Sequence, residues 1–367
     1  MTDFFFKTSE LSVGYNGKSL ISNIEIRLNR GEILTLIGPN GAGKSTILKS
    51  ITRHIEKLYG TVLIENTATE TMSANALAQK VSVVLTDKPK TELLTSEDVV
   101  ASGRYPYTGR LGILSEQDKA IVTEAMSLVN ALSLRNTDFA QLSDGQRQRI
   151  LLARAICQEP EIIVLDEPTS FLDLRYELEL LSILRCLAKD RGIAVIMSLH
   201  NLAMAQKVSD YVMCVRGETI AHYGTPQEIF KRELISGLYD LDNGSYNPLF
   251  GSVEMAKPEG EAKAFVIAGG GTGIGIYRKL QKEGTPFFSG ILHENDIDFQ
   301  VASDLAAEVV AEKSFCEISD ASYNRALKLI EKCDVVINCL SQYGIANKRN
   351  ADLFAQAKKM GKKIAAM

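Results

Sequence analysis

Residues 38–46 read GPNGAGKST, and this run decides the fold. It fits the GxxxxGK[ST] phosphate loop, with Gly38, Gly43, Lys44 and Ser45 at the required positions and Asn40, Gly41 and Thr46 completing the stretch. Glycines let the backbone curl so that its N–H groups point inward at phosphate oxygens. The helix that follows adds its N-terminal dipole. Lys44 can reach the β- and γ-phosphates, and the Ser45 hydroxyl can ligate Mg²⁺. The flanks agree: EILTLI at 32–37 is a short apolar strand running into the turn, and STILKSITRH from Ser45 has helical periodicity. A chance glycine turn beside a lysine does not predict those flanks.

Downstream, residues 162–167 read IIVLDE, an apolar strand ending in two acids. Asp166 can hold Mg²⁺ through water, and Glu167 can orient or deprotonate an attacking water. Strands ending in acids are common, so the weight falls on the order of the remaining motifs. LSDGQ at 142–146 precedes a helical run, RQRILLARAI. Pro168 and Thr169 follow the acids, then SFLD at 170–173, and His200 closes a later apolar strand, IAVIMSL. In this order the motifs resemble the ATP-binding cassette (ABC) family over roughly residues 5–240.

The resemblance implies an α/β ABC ATPase fold: a phosphate-loop core with antiparallel β and helical subdomains. It implies ATP and Mg²⁺ as ligands. Tyr15, in VGYNGKS, falls where the family stacks an aromatic on adenine; a strand tyrosine packing locally is the alternative. Ser143, Gly145 and Gln146 would cap the γ-phosphate of ATP bound to the opposite subunit, and Asp173 would organise the dimer interface. His200 would contact the γ-phosphate. The implied partners are a second copy of the chain in a two-fold ATP sandwich, integral-membrane permease subunits and, indirectly, an extracytoplasmic substrate-binding protein. The implied location is the cytoplasmic face of the cell membrane, as a peripheral subunit.

Two positions depart from the family. Its usual glutamine after the strand VSVVL is replaced by Thr86 and Asp87, and Gln79 lies too early to substitute. Altered coupling or slower hydrolysis is expected, with ATP binding kept. The signature also carries Asp144 where glycine is usual, and the favoured reading makes Asp144 a helix N-cap.

The clue to cargo is ASGRYPYTG at 101–109. It resembles a loop in the ATPases of importers for iron–siderophores, haem and cobalamin, within the subdomain that docks to the permease. Ferric siderophore is favoured; a local turn with an aromatic latch is the competing reading. From another class, a soluble ABC ATPase acting on nucleic acid or a signalling partner stays open. A net charge of -4 and a pI near 5.8 weigh against nucleic acid.

A length of 367 residues suggests two domains. No apolar run reaches the ~18 residues that span a bilayer, and MTDFFFKTSE does not read as a signal peptide. The 6 cysteines form no CxxC pair, which fits reduced, buried thiols. The division expected is an ABC ATPase domain over 1–240, a linker over 241–262 lacking apolar periodicity, and a small Rossmann-like accessory domain over 263–367. That last domain reads as strands AFVIA, FFSGIL, CEI, DVVINCL and KKIAAM, with the glycine run GGGTGIG at 269–275 after the first. Ala268, Gly270 and Gly273 match GxGxxG only with alanine in the first place, and Glu294 falls where a ribose contact would sit. A nucleotide-type or other small regulatory ligand and a ligand-free interacting domain both remain open.

Overall fold

A computed structural model describes residues 4–85, 93–109, 112–170 and 172–366. Thr86 and Asp87 lie outside the described residues. The chain divides into two compact units, Met1–Phe230 and Lys231–Met367.

The first unit opens with β1 (Phe6–Tyr15), β2 (Lys18–Ile24), β3 (Arg27–Leu28) and β4 (Ile33–Ile37), then α1 (Lys44–Ile51), β5 (Tyr59–Ile64) and β6 (Thr67–Ala68). It continues through α2 (Ala74–Lys80), β7 (Val81–Val84), α3 (Ser96–Ala101), α4 (Glu116–Leu128) and α5 (Asp144–Cys157). After these come β8 (Ile162–Leu165), α6 (Leu174–Arg191), β9 (Ala194–Ser198), α7 (Leu202–Val208), β10 (Tyr211–Arg216), β11 (Thr219–Gly224) and α8 (Pro226–Ile229). One sheet runs β11-β10-β4-β9-β8-β7 and is parallel except at β11. Strands β4, β8 and β9 are buried along their whole length, which is why they read as continuous apolar runs. The other sheet runs β2-β1-β5-β6, with β3 also on β1, and is antiparallel. Its inner face packs Leu11, Val13, Ile21 and Val62 into one core with Ile47 and Leu48 of α1. That core holds the phosphate-loop helix against both sheets.

The second unit holds α9 (Arg232–Leu238), the hairpin β12 (Gly244–Asn247) and β13 (Ser252–Met255), and then β14 (Ala264–Ile267), α10 (Ile274–Lys282) and β15 (Phe287–His293). It ends with α11 (Ile297–Leu305), β16 (Glu308–Glu312), α12 (Asp320–Lys332), β17 (Val335–Asn338), α13 (Arg349–Lys359) and β18 (Lys363–Ala366). The parallel sheet order is β16-β15-β14-β17-β18, with helices packed on it. The order in which strands are added therefore reverses between β14 and β17, the place where open α/β sheets carry ligands.

Two readings change. The stretch 241–262 contains an ordered hairpin. Its buried groups are polar and paired: Asp304 accepts from Ser245 Oγ at 2.8 Å and Asn247 Nδ2 at 3.1 Å, and Glu254 pairs with Arg278. The run CEI at 316–318 is not a strand. The edge position beside β15 belongs to β16, and Ser319 already caps α12.

Candidate functional site

The phosphate loop leaves β4, Asp166 and Glu167 leave β8, and His200 leaves β9, so three neighbouring parallel strands deliver their groups to one sheet edge. The loop demands its glycines. Gly38 has φ +145, and a Cβ there would stand 2.1 Å from the Val215 carbonyl oxygen. Gly43, at φ +98, begins α1, and a Cβ would press to 2.6 Å from Ile21 Cδ1.

Tyr15, Asn40, Gly41, Gly43, Lys44, Ser45, Thr46, Glu167 and His200 line one cavity of about 430 Å³. Leu20 lines it too, a contact that sequence reasoning did not anticipate. Tyr15 is 51% exposed, so its ring is free to meet a ligand; its hydroxyl lies 3.4 Å from Thr46 Oγ1. Lys44 is buried and donates from Nζ to the carbonyls of Gly38 at 2.8 Å and Pro39 at 3.0 Å. Burial lowers its pKa, and the charges of Glu167 and Asp166 partly oppose that.

The acids are held by a small network. Ser45 Oγ donates to Asp166 Oδ1 at 3.0 Å, and Ser198 Oγ donates to the same oxygen at 2.8 Å. Ser198 also accepts from the Glu167 backbone N–H at 2.8 Å. Glu167 sits at φ 49, a left-handed conformation that costs a non-glycine residue. His200 Nε2 lies 2.6 Å from Glu167 Oε1, and Ser170 donates to Oε2 at 3.1 Å. Burial works to raise the Glu167 carboxyl. The His200 bond and charge, Ser170 and Lys44 outweigh it and hold the carboxyl below its ordinary range. Ser198 is a site residue that the sequence did not disclose, being the polar end of an apolar strand.

The signature stands at the start of α5. Ser143 is the N-cap, its Oγ accepting from Gln146 N at 3.3 Å while Gln146 Oε1 accepts from Ser143 N at 3.0 Å. Asp144 is thus not the cap. It is the first helical residue and pairs with Arg147 at 3.2 Å. Gly145 faces Tyr176, where a Cβ would meet the ring at 3.2 Å. Asp173 caps α6 by accepting from Tyr176 N at 3.0 Å. None of these five residues lines the cavity that holds Lys44.

In the RYPY segment, Arg104 is buried. It donates to Asp118 Oδ1, to the Cys157 carbonyl and to Glu159, each at 2.8 Å, and lies over the Tyr107 ring. Tyr107 donates to the Gln158 carbonyl at 3.0 Å, while Tyr105 stays 74% exposed. Gln79 donates to the Pro106 carbonyl at 3.2 Å. The segment is a latch with one aromatic left outside it.

In the second unit, Gly273 has the tight packing expected of a dinucleotide-type turn: a Cβ there would lie 2.6 Å from Ala268 Cβ. Glu294 is exposed and its backbone N–H bonds Glu312 O. Its neighbours Asn295 and Asp296, not Glu294, line the adjacent crevice.

Comparison with known proteins places this geometry in a family. The ABC transporter family model matches residues 21–170, and that of the MJ0874 family matches residues 287–367. An ABC transporter ATP-binding protein of Methanocaldococcus jannaschii, MJ0873, is 42% identical over 277 residues, covering 75% of this chain and 96% of the relative. The achromobactin transport ATP-binding protein CbrD of Dickeya dadantii is 37% identical, over 64% of this chain and 87% of its own. The cobalamin import ATP-binding protein BtuD of Halobacterium salinarum is 28% identical, over 89% of this chain and 83% of its own. A solved structure of a metal-chelate type ABC transporter in an inward-facing conformation superposes with TM-score 0.57 at 25% identity, covering 64% of this chain and 88% of that one. With 96% of a relative covered at 42% identity, and with a phosphate loop, acidic strand end and signature helix in place, the chain belongs to the ATP-binding proteins of the ABC transporter family.

Proposed function

We propose that the chain is the ATP-hydrolysing subunit of an importer that carries a metal chelate, ferric siderophore first among them, across the cytoplasmic membrane. The observation that carries the chemistry is the Glu167–His200 pair, 2.6 Å apart at the edge of the cavity that holds Lys44 and Ser45. The fit to nucleotide is good: curled glycine backbone, a buried cation and an exposed aromatic line one cavity. Ser45 and Asp166 offer a hydroxyl and a carboxylate, hard oxygen donors that suit Mg²⁺. When bound, that ion would neutralise charge on the phosphate oxygens.

The residues then divide the work. Lys44 binds the phosphates and Tyr15 stacks on the base. Glu167, ionised below the usual carboxylate range, takes the proton from the attacking water, and His200 fixes the direction of its carboxylate. Ser143, Gly145 and Gln146 sit at a helix N-terminus and serve the phosphates of a second copy in a two-fold dimer. Asp173 steadies that interface. Permease subunits receive the motion, with the exposed Tyr105 beside the Arg104 latch as a contact, and the chain works as a peripheral subunit at the cytoplasmic face. Among the described residues, no helix is long and apolar enough to cross a membrane.

Relatives named for achromobactin transport and cobalamin import support a chelate as cargo. One observation favours cobalamin as a second reading. The alignment with the cobalamin relative covers 89% of the chain and so must run through most of the second unit, whereas the achromobactin alignment, at 64%, is about as long as the first unit. Uptake of labelled ferric siderophore and labelled cobalamin, in cells carrying wild type or Glu167→Gln beside the native permease, separates the two. Loss of iron uptake alone supports the siderophore; loss of cobalamin uptake alone supports the second reading. Loss of neither overturns the transport assignment.

A further inference from the structure

The glycine turn after β14 has the shape of an anion nest, but its N–H groups already have acceptors. Gly270 N–H donates to both oxygens of Asp296, at 3.0 and 2.8 Å. Gly271 N–H donates to Asp298 Oδ2 at 3.1 Å, and Gly273 N–H reaches both Asp298 oxygens at 3.0 and 3.1 Å. Asp298 is fully buried, and its own N–H donates to Asp296 Oδ1 at 2.9 Å. Two carboxylates of the chain therefore stand where a pyrophosphate would be cradled. A phosphate entering here would lose those donors and meet two like charges.

Above the turn lies a crevice of about 460 Å³ at the carboxyl ends of the strands, within the size range of small-molecule sites. Its walls include Asn295, Asp296, Ile297, Phe315 and Ala346, and no lysine or arginine is among its described lining residues. Phe315 is 89% exposed and sits at φ 62, a conformation unusual for an aromatic residue. Its loop is pinned on both sides. His293 Nε2 donates to the Cys316 carbonyl at 2.8 Å, and Glu312 accepts from the backbone N–H groups of Lys313 at 3.1 Å and Ser319 at 2.8 Å. A water-facing aromatic ring on a fixed backbone is a preformed stacking wall. Among the described residues, Asp296 accepts from two N–H groups, those of Gly270 and Asp298, and keeps lone pairs to spare.

The geometry points to a binding site in the second unit for a small amine with a flat apolar body, its ring on Phe315 and its ammonium on Asp296, and not for a phosphate or dinucleotide. The site is independent of the ATPase chemistry, since all its residues lie in the second unit. Calorimetric titration of the full chain, with ADP saturating the first unit, tests it with a matched pair of probes: tryptamine and indole-3-propionate share a ring and differ in charge. Tryptamine should bind about tenfold more tightly, the scale of one charge-assisted hydrogen bond. Phe315→Ala and Asp296→Asn should each weaken it by about the same factor; the first alters an exposed ring and the second keeps the helix cap, so both variants should fold. NAD⁺ should give no heat at this site. The proposal is overturned if indole-3-propionate binds as well as tryptamine, if NAD⁺ binds and Phe315→Ala removes it, if tryptamine ignores both substitutions, or if tryptamine does not bind.

Discussion

Ser198 holds one Asp166 oxygen and the Glu167 N–H at once, 2.8 Å from each. Ser198→Ala removes both bonds, so the strained Glu167 backbone loses a restraint and Asp166 loses a donor. Supporting residues of this kind change activity by about 10- to 100-fold when lost. Ser198→Ala should lower the maximal ATPase rate by that order and raise the Mg²⁺ concentration needed for half-maximal rate. An unchanged Mg²⁺ dependence would place Ser198 outside the mechanism. The phosphate loop, Asp166, Glu167 and His200 were legible because their chemistry demands particular residue types at fixed strand ends. Ser198 was not, because a serine ending the apolar run IAVIMS carries no pattern of its own. Asp144 was misread for a different reason: two residues of about equal capping strength stand side by side, and the S-x-x-Q box with Gln146 decides for Ser143.

At the scale of elements, Arg104 locks the connection after α3 to α4 and α5 through Asp118, Cys157 and Glu159. Arg104→Ala leaves the buried Asp118 carboxylate without its cation and should destabilise the first unit by roughly 3–5 kcal/mol in urea unfolding. Tyr105→Ala, on the exposed side, should change stability by less than about 0.5 kcal/mol yet reduce permease-stimulated hydrolysis. Equal stability losses in both variants would deny the division between latch and contact. In the second unit, the Ser319 N–H, the Ser319 hydroxyl, the Lys313 N–H and the Ser322 hydroxyl outweigh the opposing effect of burial and hold the Glu312 carboxyl down at about 2. A depressed carboxyl contributes stability above its ordinary value of 4.5 and loses it as pH falls toward 2. Wild type should therefore exceed Glu312→Gln in thermal stability at pH 6, and the gap should close on acidification to about 2. The strand that Glu312 ends was hidden in EVVAE, because a sheet-edge strand alternates with charge and shows little apolar signal. The hairpin before β14 was hidden for a related reason: what it buries is Tyr246, Asn247 and Glu254, mostly polar groups satisfied by partners far along the chain.

For the whole molecule, the boundary between units falls at Phe230–Lys231, so α9 and the hairpin belong with the parallel sheet. Asp304, whose side chain is 2% exposed, pairs with Arg232 at 2.5 Å and takes bonds from Ser245 and Asn247. A fragment spanning 231–367 should fold cooperatively. One spanning 263–367 strands that carboxylate and should be less stable by several kcal/mol, on the order of 3–5; equal urea midpoints would return the boundary to residue 263. In the first unit, the proposed base of the ATPase is Glu167, 2.6 Å from His200 and lining the same cavity as Lys44. Phosphate release from saturating MgATP, measured for wild type and Glu167→Gln alongside nucleotide binding, tests it most directly. Glu167→Gln should keep ATP affinity and lose about 10²–10⁴-fold in rate; a variant that hydrolyses ATP as fast as wild type would remove Glu167 from the role of base.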